Sequence, residues 1–172
     1  DIKIEVENAV GQGFKEVTLL GQNVNSYKYQ DYKFHQLLES IAKVSGLERI
    51  RYTSPHPQDI TNDLLNVMSE YDNICNYVHL PLQAGSNRIL RRMNRTYSKE
   101  HFLSLVSKIR NTLPNVGIST DIIVGFPGET DDDFIETLNV MDEIKFDSAF
   151  NFKYSPRRGT KATEYDDQIS EE

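Results

Sequence analysis

Between Val116 and Phe126 the chain reads VGISTDIIVGF, and the two faces of that stretch decide the fold. It is a β-rich apolar run closed by Pro127-Gly128, which reads as a strand entering a turn. Side chains alternate along a strand. Ile118, Ile122, Val124 and Phe126 therefore share one face, and Gly117, Ser119, Asp121 and Gly125 share the other. Two other stretches split the same way. Val78, Leu80 and Leu82 oppose Tyr77, His79 and Gln83, and Phe150, Phe152 and Tyr154 oppose Asn151 and Lys153. A parallel strand covered by helices on both sides is apolar on both faces. Here one face is repeatedly polar or small. A barrel interior that receives a polar ligand accounts for this better than an open sheet between two helix layers, which is the alternative.

Working outward, helix and strand signals alternate. Helical spacing is expected from Ile2 to Val10, stopped by Gly11 and Gly13, and again at Phe34, Leu37, Leu38 and Ile41, closed by Gly46. Thr61, Ser86, Ser98 and Thr130 stand where helix caps belong. Strands are expected at Glu16–Leu20, Arg49–Ser54, Asn76–Gln83, Val116–Phe126 and Ser148–Tyr154, with a polar loop from Gly21 to Lys33. Strands separated by helices imply parallel pairing and right-handed crossovers. The expected fold class is α/β, a partial parallel barrel of five β/α units over residues 1–156. Residues 157–172 show no core pattern and read as a connector. The chain opens on a helix, so a first strand is expected upstream.

Ordinary globular composition, with 38% hydrophobic and 26% charged residues, argues against disorder. No apolar run reaches membrane-spanning length, and nothing resembles a signal peptide, so a cytoplasmic protein is expected. The one cysteine, Cys75, excludes an internal disulfide framework and any all-cysteine metal site built by this chain alone. A net charge of −7 gives no general footprint for nucleic acid. Nucleic-acid binding would need a local basic groove or further domains.

Ligand groups in this architecture come from strand ends and the loops that follow them. Gln22 and Asn25 lie in such a loop, where they also serve to satisfy backbone groups. Asp121 is a mid-strand carboxylate, costly unless it is paired or binds something. His79 is either a hydrogen-bonded core histidine or a ligand-side group. Gly125-Phe126-Pro127-Gly128-Glu129 is a strand-to-helix turn whose glycines would also let backbone approach a flat ring. Gly85-Ser86 precedes a helix and either binds an anion or caps. Asp131, Asp132 and Asp133 read as a solvated helix start. Arg88, Arg91, Arg92 and Arg95 recur at helical spacing, as a solvated face or as guanidinium groups for a carboxylate or phosphate. Lys153, read as facing the interior, is a candidate Schiff-base nucleophile, a hydrogen-bond donor to substrate, or a partner of Asp121.

Four strings, Val17–Tyr27, His79–Asn87, Ser119–Thr130 and Tyr154–Arg157, together resemble the radical S-adenosylmethionine methylthiotransferases in order and spacing over nearly the whole chain. Gly21-Gln22-Asn23-Val24-Asn25-Ser26-Tyr27 resembles the tRNA branch, which methylthiolates an isopentenylated adenosine beside the anticodon. The resemblance implies a barrel of six β/α units, with S-adenosylmethionine and two 4Fe-4S clusters as cofactors. It places the cluster cysteines, a further cluster domain and an RNA-binding domain outside this stretch, so that the fragment alone is inactive and holds no metal. The implied partners are the tRNA anticodon stem-loop and an electron donor, without a membrane. By the same resemblance Gln22 falls at the methionine amino group, where many relatives carry glutamate. Ser54 falls at a cofactor-contacting strand end, Gln83 and Asp121 at ribose positions, and Arg95 at the methionine carboxylate. Asn25, Lys153 and Arg157 are expected on the substrate side from position alone. Ala84 and Arg158 depart from the residues common in the family.

Other readings stand beside this one. A threonylcarbamoyladenosine tRNA or a ribosomal protein is the substrate of sister branches. A Schiff-base lyase using Lys153 belongs to a different class of enzyme, and a non-catalytic RNA-binding or assembly module would need no cofactor.

Overall fold

A computed structural model describes residues 1–53 and 55–170. The described chain gathers into two compact units. One comprises Asp1–Leu80 with Lys108–Gly117, the other Pro81–Ser107 with the residues from Ile118 onward.

The first unit runs α1 (Ile2–Gly11), β1 (Glu16–Leu19), β2 (Lys28–Tyr29), β3 (Tyr32–Lys33), α2 (Phe34–Ala42), β4 (Arg49–Tyr52), α3 (Asn62–Glu70) and β5 (Tyr77–His79). β1 and β4 pair in parallel from Glu16 beside Arg49 to Leu19 beside Tyr52, and Ile50 bridges Ile74 in parallel. The parallel pairing expected from alternating helices and strands is present. The helical spacing in α2 delivers what it promised: Phe34, Leu37, Leu38 and Ile41 are all buried. Thr61 caps α3 by accepting from Leu64 N at 3.2 Å. The hairpin β2–β3 lies inside the stretch expected to be a loop. Two-residue strands carry no readable period, and the turn between them rests on Gln30 at φ 55°.

The second unit holds α4 (Asn87–Arg92), most of α5 (Lys99–Thr112), and β6 (Gly117–Val124), α6 (Asp131–Ile144) and β7 (Ser148–Lys153). Its core includes Leu82, Ile89, Leu90, Phe102, Ile118, Ile122, Val140 and Ile144. Tyr97 packs on Phe102 with ring centroids 5.9 Å apart and donates its hydroxyl to the carbonyl of Pro81 at 2.9 Å. Burial pushes that hydroxyl's pKa up to about 12, so it remains a donor. Ser98 caps α5, accepting from His101 N at 3.2 Å. Ser86 does not cap α4; its hydroxyl is used elsewhere.

β6 and β7 pair in parallel, with Asp121 beside Phe150, Ile123 beside Phe152 and Val124 beside Lys153. Residues side by side in a parallel ladder project from the same face. Phe150 and Phe152 therefore share the face of Asp121, and Lys153 stands on the other one. This reverses the expected facing of the fifth strand. Alternation divides a strand into two sets but does not say which set points where; only the register does.

Among the described residues, no helix is long and apolar enough to cross a membrane.

Gly85 marks the tightest approach of backbone to backbone at a glycine of the second unit. Its N–H donates to Thr137 Oγ1 at 2.8 Å, and a Cβ there would sit 2.5 Å from Thr137 Cα and 2.7 Å from Glu136 O, both backbone atoms of α6. Backbone cannot swing aside as a side chain does, so Gly85→Ala is expected to destabilise the protein by about 2–3 kcal/mol. Urea unfolding checks this; an unchanged midpoint would show that α6 can shift freely.

Candidate ligand site on the second unit

The turn after β6 is built on two left-handed glycines, Gly125 at φ 71° and Gly128 at φ 78°, a conformation that costs glycine little. Glu129 closes it. Its N–H donates to Phe126 O at 2.9 Å, and its Oε2 accepts from Gly125 N. Its Oε1 is buried with no hydrogen-bond partner among the described residues. Burial raises the Glu129 pKa, only partly opposed by the N–H groups of Gly125 and Phe126. The Phe126 ring meets Tyr154 edge-on at 5.2 Å and Tyr165 at 6.4 Å.

The outward carbonyls of this turn are gripped by arginines from α4. Arg88 Nη2 donates to Gly128 O at 2.5 Å, and Arg92 Nε donates to Pro127 O at 3.0 Å. Arg88 also pairs with Asp133, whose carboxylate accepts from Ser86 Oγ at 2.5 Å, Thr130 N at 2.9 Å and Thr130 Oγ1 at 2.7 Å. Asp133 is only 5% exposed. Burial alone would raise its pKa. The bonds from Arg88, Ser86 and Thr130 outweigh burial and hold it well below the ordinary carboxylate range. Arg92 reaches further, pairing with Asp167 at 2.6 Å and lying over the Tyr165 ring at 4.5 Å, while Gly128 N donates to Asp167 O at 2.8 Å.

These contacts correct two expectations. Arg88 and Arg92, though Arg88 remains exposed, act as clamps on the turn, and Asp133 is not part of a solvated helix start. A third correction concerns Arg95. α4 ends at Arg92, Asn94 turns left-handed at φ 56°, and Arg95 N returns to Leu90 O at 2.8 Å. Arg95 is thus past the helix and does not share a face with the others. Its Nε is buried and finds no hydrogen-bond partner among the described residues.

Gln83 is 7% exposed and held at φ 72°, a region that costs a residue with a Cβ of order 1 kcal/mol or more. Its main chain is fixed between two residues of β6: Gln83 N donates to Asp121 O at 2.8 Å, and Ile123 N donates to Gln83 O at 2.9 Å. Asp121 itself is half-buried and partnered. The Tyr154 hydroxyl is a further buried polar group without a hydrogen-bond partner among the described residues. Buried polar atoms are nearly always satisfied. Arg95, Glu129 and Tyr154 thus give this unit three buried polar atoms with unused bonding capacity among the described residues.

In the first unit Gln22 is exposed. Asn25 is buried and spends both ends of its amide on the loop, donating to His56 O at 2.9 Å and accepting from His56 N at 2.6 Å. Its observed work is to hold the Pro55-His56-Pro57 turn. Ser54 lies outside the described residues. In the second unit Lys153 and Arg157 are exposed. No group of three or more His, Cys, Asp or Glu side chains among the described residues is arranged for a metal ion. The sequence reaches Glu129 and Tyr154 only as members of the Gly125–Glu129 and Tyr154–Arg157 strings, and it does not reach the Arg88–Asp133 pair. The Thr130-x-x-Asp133 spacing of a capping box was the available signal for Asp133.

The model of the Radical SAM superfamily matches residues 1–141. The tRNA-2-methylthio-N(6)-dimethylallyladenosine synthase of Clostridium tetani is 49% identical over 175 aligned positions, which cover 100% of this chain and 39% of that protein. The enzyme of the same name from Syntrophomonas wolfei is 52% identical, covering 98% of this chain and 39% of its own length. The chain thus spans about two-fifths of the curated relatives it matches. Among solved structures, coproporphyrinogen III oxidase from Escherichia coli, a radical SAM enzyme, aligns over 99% of this chain and 41% of its own with a TM-score of 0.72 at 18% identity. Methylornithine synthase aligns over 96% of this chain and 47% of its own with a TM-score of 0.64 at 18% identity. Both show that the α/β fold expected from the sequence is the one this chain adopts.

Because the folded-state pKa of Asp133 is depressed, its stabilisation is present above about pH 4 and is lost as the pH falls below that. Asp133→Asn is expected to lower the unfolding free energy at neutral pH by about 1–3 kcal/mol. The gap to wild type should narrow between pH 5 and pH 2. Denaturant unfolding across that range is the measurement, and a gap independent of pH would mean that the charge does not carry the effect.

Proposed function

Since this chain belongs to the Radical SAM superfamily, we propose that it is the S-adenosylmethionine-binding part of a cytoplasmic tRNA methylthiotransferase, acting on a dimethylallyl (isopentenyl) adenosine beside the anticodon. The carrying observation is the 49% identity across the whole chain to a curated enzyme of that name. The structure supports the cofactor half of the reading through the buried, unsatisfied Nε of Arg95. A guanidinium held in that state suits a carboxylate, and the methionine end of the cofactor presents one.

The chain's own residues then take the following roles. Arg95 holds the methionine carboxylate. Asp121 accepts from the ribose hydroxyls, and Gln83, whose N–H is bonded to the Asp121 carbonyl, serves the same sugar. The Gly125–Glu129 turn, fixed by Arg88 and Arg92, lays bare backbone against the adenine ring. Asn25 shapes the loop after β1, and Arg157 approaches the anticodon stem-loop. When bound at a reduced 4Fe-4S cluster, S-adenosylmethionine supplies a one-electron route to hydrogen abstraction from the substrate ring. With Cys75 as its one cysteine, the chain does not offer the thiolate set such a cluster takes, so both clusters and the contact with an electron donor belong to other residues of the longer protein. The work of this part is positional: it binds and orients the cofactor.

No observation favours a Schiff-base lyase. Lys153 is exposed and on the opposite face from Asp121, whereas a nucleophilic lysine needs a desolvated pocket or a cationic neighbour to lower its pKa.

In the full-length protein, Arg95→Ala and Asp121→Ala should each weaken S-adenosylmethionine binding by about ten- to a hundred-fold, with Arg95→Lys intermediate. Equilibrium dialysis measures this directly. Wild-type affinity in both alanine variants would overturn the site.

A further inference from the structure

β7 turns its aromatic side chains toward the face that carries Asp121. Phe150 lies beside Asp121 and Phe152 beside Ile123, and they are 53% and 52% exposed. The other face of the same strand holds Ala149, Asn151 and Lys153, with no large apolar group. On β6 the ordinary arrangement holds on that other face, where Ile118 is 0% and Ile122 2% exposed. β7 thus keeps its two rings half open to water on the ligand-bearing face. Paired exposed aromatic groups beside a polar site are typical of a binding surface.

We infer that Phe150 and Phe152 form the platform that seats the purine base of the RNA substrate and its dimethylallyl branch, and that this pair sets the preference for the hydrocarbon-bearing adenosine over plain adenosine. The inference rests on the methylthiotransferase reading above. Three features carry it. Same-face neighbours on a strand are about 6–7 Å apart, so two successive rings offer a continuous apolar strip on the scale of a fused-ring base. Aromatic side chains stack on bases, and a five-carbon hydrocarbon branch has no donor or acceptor, so only apolar surface can recognise it. The strip is also continuous with the cofactor site: Phe150 adjoins Asp121, and beyond Phe152 the chain continues to Tyr154, whose ring packs on Phe126 of the turn at 5.2 Å. A substrate base must lie close to the cofactor's ribose for hydrogen to be taken from it, and this strip begins at the ribose-binding carboxylate.

The test uses the full-length protein and two synthetic anticodon stem-loop RNAs, identical except that the adenosine beside the anticodon carries a dimethylallyl group in one. Wild type is expected to favour the modified RNA by about ten-fold in Kd. Phe150→Ala and Phe152→Ala should bring that ratio to within about two-fold, while S-adenosylmethionine affinity stays at the wild-type value. Phe150→Leu and Phe152→Leu, which keep apolar bulk without the ring, should retain part of the preference. They carry the comparison if an alanine variant fails to fold. An unchanged ratio in the variants overturns the inference, even where stability falls, because the pair would then pack against another part of the protein. So does a wild type that binds both RNAs equally. A wild type that binds neither RNA nor S-adenosylmethionine overturns the underlying reading instead, so the two failures are told apart.

Discussion

One buried carboxylate organises the second unit. Asp133 sits in the first turn of α6, where a negative charge is favoured by the helix dipole, and its side chain accepts from the residues that begin α4 and α6. Through Arg88 it also reaches the carbonyl of Gly128. Two helix starts and the glycine turn after β6 are thereby tied to a single point. Donors from Arg88, Ser86 and Thr130 all converge on it, so the buried charge is paired and bonded, and its loss would strand several of them at once. The candidate ligand site depends on that point, because it fixes the carbonyl of Gly128 at one end of the turn while the buried Phe126 ring anchors the other against Tyr154.

Much of this was legible in the chain. The helical spacing of α2, the caps at Thr61, Ser98 and Thr130, and the parallel pairing of β1 with β4 and β6 with β7 follow from local pattern. Those features depend on interactions a few residues apart, or on the number of helices between strands. What could not be read depends on register and on partners distant in sequence. The facing of β7 needed its alignment with β6. The clamps formed by Arg88 and Arg92 needed acceptors some 35 to 40 positions away. A row of arginines at helical spacing carries no mark of whether its acceptors are water or carbonyls.

The candidate site shows the same division. Asp121 drew notice because a carboxylate within a strand is locally anomalous, and Arg95 because of the family resemblance. Glu129 and Tyr154 are locally unremarkable: one follows a Pro-Gly turn and the other ends a strand. They became visible only as buried polar atoms whose neighbours leave them unbonded. Gln83 lies between these cases. Its strained φ cannot be seen in sequence, since the Ala84-Gly85 that follows would lead one to expect the glycine to take the unusual conformation.

The strap formed by Tyr165 and Asp167 across Arg92 and Gly128 has a kinetic and entropic meaning of its own. A glycine-rich turn left to itself samples many shapes, and a ligand that must choose one loses affinity in proportion. Here the choice is made during folding, by residues that lie beyond the last strand. Preorganisation of this kind shows itself as a slower departure of the ligand rather than a faster arrival. The residence time of any ligand seated on this turn would thus be set partly from a segment whose sequence carries no sign of it.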